Sequence, residues 1–180
     1  MARDERFSVY LTGFALLCFG AGVYLYGIFS DAVTYQVISF ASCGQLWEVA
    51  QVYLTAFLRT VWLLLLMLPV GYTRFVRPMS FFVIAGRALP AGLAAGCIYR
   101  AESWRLYICF LLFTACVLFI YILVCRMAYN CAFAADGPAR TVGGFTHDRQ
   151  YLIRFLWACG FLALMTALWC CGSLVGFLKF

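Results

Sequence analysis

The sequence predicts an all-α fold, a polytopic transmembrane bundle of about five spans with an amphipathic helical segment on its outer face. Three observations carry that prediction. Hydrophobic residues make up 66% of the chain, and the mean hydropathy is +0.96. Charged residues make up only 11%, where soluble domains carry about 25%. The apolar residues fall in runs near the length of about 20 residues that a helix needs to cross a bilayer, and most of the arginines fall between the runs. A chain of 180 residues holds one such bundle, so residues 1–180 read as a single integral membrane domain.

The first span covers about residues 7–29. It is too long for a signal-peptide core and ends in no Ala-x-Ala site, so it reads as uncleaved. Gly13, Gly20 and Gly27 recur every seven residues and predict a close helix contact on that face. Residues 30–58 form the amphipathic segment. Ser39, Ser42, Gln45, Glu48, Gln51 and Thr55 make a polar stripe at helical spacing beside a wide apolar face. Such a helix lies in the membrane interface or leans on the bundle.

The second span covers about 52–73. Its core, Val61 to Pro69, is too short alone, so it takes in the end of the amphipathic segment; Pro69 and Gly71 end or kink it. The third span, about 78–99, is the least bulky. Gly92 and Gly96 form a GxxxG pair, and Pro90 removes one helix hydrogen bond near Gly86. The fourth, about 106–133, is an apolar run followed by a polar loop over 135–149 that contains His147 and Asp148. The fifth, about 151–178, has small residues four apart at Ala163 and Ala167 and at Gly172 and Gly176.

With five spans, Arg3, Arg6, Arg74, Arg77, Arg126, Arg140, Arg149 and Arg154 fall on one side of the membrane. Arg59, Arg100, Arg105 and Lys179 fall on the other. The positive-inside rule then places the N-terminus in the cytoplasm and the C-terminus outside. The formal charge of +6 belongs to these span ends, since no basic patch is large enough to form a nucleic-acid groove. The ten cysteines form no CxxC pair, and the single histidine has no cysteine at ligand spacing. Packing as small hydrophobes is the expected role, including for Cys109 and Cys116, seven apart on one helical face. No metal or other cofactor is expected.

Arg87 is the candidate functional residue, flanked by Gly86, Pro90, Gly92 and Gly96 in the middle of the third span. A charge at mid-membrane costs about 2.5–3.5 kcal/mol on insertion scales, so Arg87 must face protein or water. Two readings stand side by side. Arg87 satisfies carbonyls freed by Pro90 or pairs with a polar neighbour such as Glu48, or it serves a transport pathway or contacts a partner protein. The spans contain no G-x-S-x-G, H-E-x-x-H or P-loop motif and no intramembrane carboxylate. An enzyme is therefore not expected.

The run from Phe57 to Gly71, ending Leu-Pro-Val-Gly, is followed by Phe81 to Gly96, which contains Gly86-Arg-Ala-Leu-Pro-Ala-Gly92. This layout resembles the stage II sporulation protein M family, as does the closing run that begins at Tyr151. The family has an N-terminal span, an extracytoplasmic amphipathic segment, a short span ending near Pro/Gly, and a Gly-rich span with a central basic residue. The resemblance implies a non-enzymatic membrane scaffold that anchors cell-wall hydrolases at the septal membrane during forespore engulfment. It assigns partner capture to the segment near 30–58 and bundle shape to Gly86, Arg87 and Gly92. A small membrane subunit working with a separate ATPase is the alternative. Either function allows a homo-oligomer.

Overall fold

A computed structural model describes residues 3–28, 46–73, 75–100, 104–135 and 144–174, with no strand among them. The helices are α1 (Arg3–Ile28), α2 (Leu46–Leu65), the single turn α3 (Met67–Val70), α4 (Val76–Arg100), α5 (Trp104–Ala135) and α6 (Gly144–Leu174). Five segments are long and apolar enough to cross a membrane: Glu5–Ile28, Tyr53–Val70, Val76–Arg100, Trp104–Ala132 and Arg149–Trp169. The expected bundle of five spans is the observed fold.

The end of the amphipathic segment is continuous with the second span: one helix runs from Leu46 to Leu65, and the stretch long and apolar enough to cross begins at Tyr53; residues 30–45 lie outside the described residues. Two boundaries differ from the sequence reading. The helix is interrupted at Leu66, between α2 and α3. Pro69 explains the break, having no N–H to donate to the carbonyl four residues earlier. The polar loop expected over 135–149 is shorter than its sequence suggested. α6 already begins at Gly144, so His147 and Asp148 are on a helix, although their side chains lie outside the described residues.

Interhelical contacts fix how the spans run. Phe7 packs on Phe81, Gly22 on Gly92 and Tyr26 on Gly96, so α1 and α4 are parallel. Tyr53 donates to the Ala163 carbonyl and Tyr151 to the Met67 carbonyl, so α2 and α6 are antiparallel. Phe113 stacks on Trp169, while Tyr151 lies near Cys131, so α5 and α6 are antiparallel too. This is the alternation that five successive crossings require.

α4 is the central helix. Of its span, 44% is buried inside the protein, against 28% or less for each of the others. It packs on α1 and α5 and receives α2 and α3 at its edges. Leu17, Phe119, Trp157 and Leu168 instead point outward, as a lipid solvent allows. Tyr99, Trp104 and Tyr107 cluster edge-to-face where α4 meets α5, the amphipathic rings that sit at a membrane interface.

The close contact of α1 is not where the repeat of seven put it. Gly13, Gly20 and Gly27 are exposed, and a Cβ on any of them would meet nothing within 4 Å. The buried face carries Phe7, Leu11, Ala15, Gly22 and Tyr26. Those bulky residues set which side of α1 faces the core, and only Gly22 falls on that side.

Candidate functional site

Two faces of α4 are built differently. On the face toward α1, the Cα atoms of Gly22 and Gly92 come so close that a Cβ built on either glycine would lie 3.0 Å from the other's Cα. A Cβ on Gly92 would also overlap the Phe19 carbonyl oxygen, and one on Gly22 the Leu89 carbonyl oxygen. One turn further on, Gly96 receives the Tyr26 ring. The Arg100 guanidinium lies 6.0 Å from the centroid of that ring. The GxxxG pair is therefore a helix crossing, as its spacing predicts.

On the face toward α5, the residues are polar. Arg77 Nη2 donates to the Tyr129 hydroxyl at 2.9 Å, and Phe7 stacks on the Tyr129 ring at 4.2 Å. One turn deeper, Ser80 is fully buried and donates to the Val76 carbonyl at 2.6 Å; its hydroxyl also meets the Cys125 thiol. Two turns beyond Ser80, Arg87 lies within electrostatic reach of the Tyr121 hydroxyl. The sequence positions run in opposite directions along the two helices, so these pairs form one polar seam between antiparallel neighbours.

The inner end of the seam joins four spans. Tyr121 of α5 is completely buried and donates to the Thr60 carbonyl of α2. The Thr60 hydroxyl turns back to the Ala56 carbonyl at 2.8 Å. Arg87 reaches Tyr121 from α4, and Cys159 of α6 lies near it on another side. Sequence reasoning misses Tyr121 because it sits in an otherwise apolar run. A signal is nonetheless present: a tyrosine at the centre of a span brings a hydroxyl that must find a partner.

Arg87 is only part-buried. α4 is helical straight through Pro90, and among the described residues the Arg87 side chain makes no hydrogen bond or ion pair. It does not bond the carbonyls near the proline. Glu48 is not at its depth either: its backbone lies twelve residues before Thr60 on one continuous helix, about 18 Å along the axis at about 1.5 Å per residue. The Glu48 side chain itself lies outside the described residues.

The exposed edge beside Arg87 carries Gly86 and Pro90. A Cβ on Gly86 would touch only the Leu63 methyls of α2, at 3.3 and 3.6 Å. One turn before Leu63 on the same face is Arg59, which is exposed. Its sequence neighbours assign Arg59 to an outer connection. It lies instead within the second span, next to the residue that contacts Tyr121. The exposed edge of α4 at Phe82, Gly86 and Pro90 thus lies beside α2.

Cysteine chemistry does not gather here. No disulfide joins the described cysteines to one another, and no group of three or more His, Cys, Asp or Glu is placed to hold a metal ion among the described residues. Cys109 and Cys116 do share a face, but it is exposed on the perimeter of the bundle and not packed inside it.

Comparison with family models, with curated proteins and with solved structures finds no match to this chain.

Proposed function

We propose that the chain is a non-enzymatic membrane scaffold that holds cell-envelope proteins at the cell membrane, in the manner of the stage II sporulation protein M family it resembles. The observation that supports this reading is the cross-linking of the interior. Tyr121 to Thr60, Tyr151 to Met67, and Tyr53 to Ala163 tie α2 to α5 and α6, and α3 to α6, by hydroxyl-to-carbonyl bonds, while the glycine crossing locks α1 to α4. A bundle held in this way offers a fixed platform. Its N-terminus is cytoplasmic, and the segment before α2 faces outward to meet extracytoplasmic partners such as wall hydrolases.

Co-purification from mildly solubilised membranes tests it. Envelope proteins recovered with the intact chain, and lost when residues 30–45 are replaced by a neutral linker, are the expected result. Recovery of no envelope protein would sink the scaffold. Topology is checked separately, with native cysteines replaced and single cysteines placed in 30–45 and 136–143. An impermeant thiol reagent should label the first set from outside intact cells and spare the second.

A second reading, a small transport subunit served by a separate ATPase, is favoured by one observation: Arg87 is a cation at mid-span with no anionic partner among the described residues. ATP-driven anion flux in vesicles that disappears in Arg87→Gln would support transport over the scaffold.

A further inference from the structure

We infer that the exposed edge of α4 beside α2 receives a transmembrane helix of another protein, one that carries an aspartate or glutamate at mid-membrane depth, with Arg87 as its counter-charge. This rests on the scaffold reading and names the chemistry of one partner.

Arg87 lies deep. It is eleven residues from Val76 and thirteen from Arg100, about 16 and about 20 Å along the axis. The hydrocarbon extends only about 15 Å to either side of the midplane, so Arg87 sits near the centre. An arginine near a span end snorkels its head to the lipid phosphates. One at the centre is too deep for that route.

Among the described residues its charge has no anionic partner. All seven acids lie at the ends of spans or in the sequence between them: Asp4 and Glu5 at the start of α1, Glu48 in the first turn of α2, Asp148 in the first two turns of α6, and Asp31, Glu102 and Asp136 in connections. None of the four on described helices, Asp4, Glu5, Glu48 and Asp148, is at the depth of Arg87. The hydroxyl it faces, Tyr121, already donates its proton to the Thr60 carbonyl. Arg87 therefore holds five N–H donors with no anionic acceptor among the described residues. A cation in that state is costly in hydrocarbon, and a carboxylate brought to it from outside relieves the cost for both ions.

That edge of α4 also suits a helix. Phe82, Gly86 and Pro90 are exposed at steps of four along α4, and two of the three present little side-chain bulk. A neighbouring backbone can approach closely there, which is how helices associate in lipid. A second copy of this chain is a poor occupant, because it would bring Arg59 and Arg87 against their own duplicates.

The test uses the full chain in phosphatidylcholine vesicles and synthetic transmembrane peptides of leucine and alanine. The peptides carry a central Asp, a central Asn, no polar residue, or an Asp moved to one end. Association is read by energy transfer. The central Asp peptide should associate at least tenfold more tightly than the other three. The preference should vanish in Arg87→Leu and Arg87→Gln and persist in Arg87→Lys. Arg87→Glu should prefer a central Lys peptide instead. Both neutral variants and the swap are read only if size and helicity match the parent chain; Arg87→Lys keeps the test alive if the others misfold. Equal association of all four peptides with the parent chain overturns the inference, as does a preference that survives Arg87→Leu. Quenching by brominated phosphatidylglycerol that depends on Arg87, with no peptide preference, would make the occupant a lipid and also overturn it. If envelope proteins still co-purify with the chain while the peptides show no preference, this inference fails and the scaffold stands. Peptide preference without envelope partners would keep the acidic helix as the occupant of the exposed edge of α4 and remove the envelope scaffold.

Discussion

The two packed faces of α4 solve the same problem by opposite means. Toward α1, nearly everything is removed: Gly22 and Gly92 let two backbones meet. Toward α5, polar groups are added and set beside one another, from Arg77 with Tyr129 through Ser80 with Cys125 to Arg87 beside Tyr121. In lipid there is little hydrophobic drive between helices, so association depends on close van der Waals packing and on interhelical hydrogen bonds. One helix uses each on a separate side. The difference predicts different sensitivities: the glycine face should fail on steric grounds, whereas the polar face should lose one bond at a time.

The largest effect is expected at the crossing. A methyl on Gly92 meets the Phe19 carbonyl oxygen and the Gly22 Cα, both backbone, and neither can move without moving α1. Gly92→Ala should cost about 3 kcal/mol, the upper end of overpacking, read as unfolding in detergent with increasing sodium dodecyl sulfate. Gly22→Ala should cost about as much. The double variant should cost less than the sum, because the first methyl has already spread the helices that the second would spread. Full additivity would mean that the two glycines do not share one contact.

Tyr121→Phe comes next. It removes the hydroxyl that joins α5 to α2 and leaves Arg87 facing a ring. A loss of about 1–3 kcal/mol is expected, larger than for a solvent-exposed bond because the site has no water to replace it. Tyr151→Phe loses one bond to the Met67 carbonyl and should cost nearer 1 kcal/mol. If Tyr121→Phe were the milder of the two, the four-span junction would carry no more weight than an ordinary tyrosine contact.

These two faces also differ in how far the sequence discloses them. The five spans are legible because hydropathy over a run of about 20 residues is set by the bilayer itself. The GxxxG pair at Gly92 and Gly96 is legible as a local spacing, yet its partner is not. Gly13, Gly20 and Gly27 form the more regular repeat, and Gly22 is the one that is buried, since Phe7, Leu11 and Tyr26 decide which way α1 faces. The depth of Arg87 is legible from its place in the run. Its neighbour is not, because Tyr121 lies thirty-four residues away and meets Arg87 only once α4 and α5 fold back on each other. Arg59 is a related case: the expected span of 52–73 already contains it, yet the charge count sets it with the outer connections, and the helix that begins at Leu46 carries it inside.

Ser80→Ala separates the bond from the burial along the polar seam. The hydroxyl is completely buried but donates to the Val76 carbonyl of its own helix, so it adds little between helices. Alanine also restores some helix propensity. The expected change is below about 0.5 kcal/mol, the low end of net hydrogen-bond contributions. A loss as large as that of Tyr121→Phe would show that its contact with Cys125 is what joins α4 to α5.

The smallest effect, with the opposite sign, is expected on the outer side of α1. Gly20 is exposed, and a Cβ there meets nothing. Alanine gives up less backbone freedom on forming a helix than glycine does. Gly20→Ala should therefore leave the bundle equally stable or more stable, by less than about 1 kcal/mol, in the same detergent titration. Gly13→Ala and Gly27→Ala should follow it. If any of the three destabilised the chain as Gly92→Ala does, that face of α1 would be packed against something in the membrane, and a homo-oligomer formed through the repeat of seven would be the first place to look.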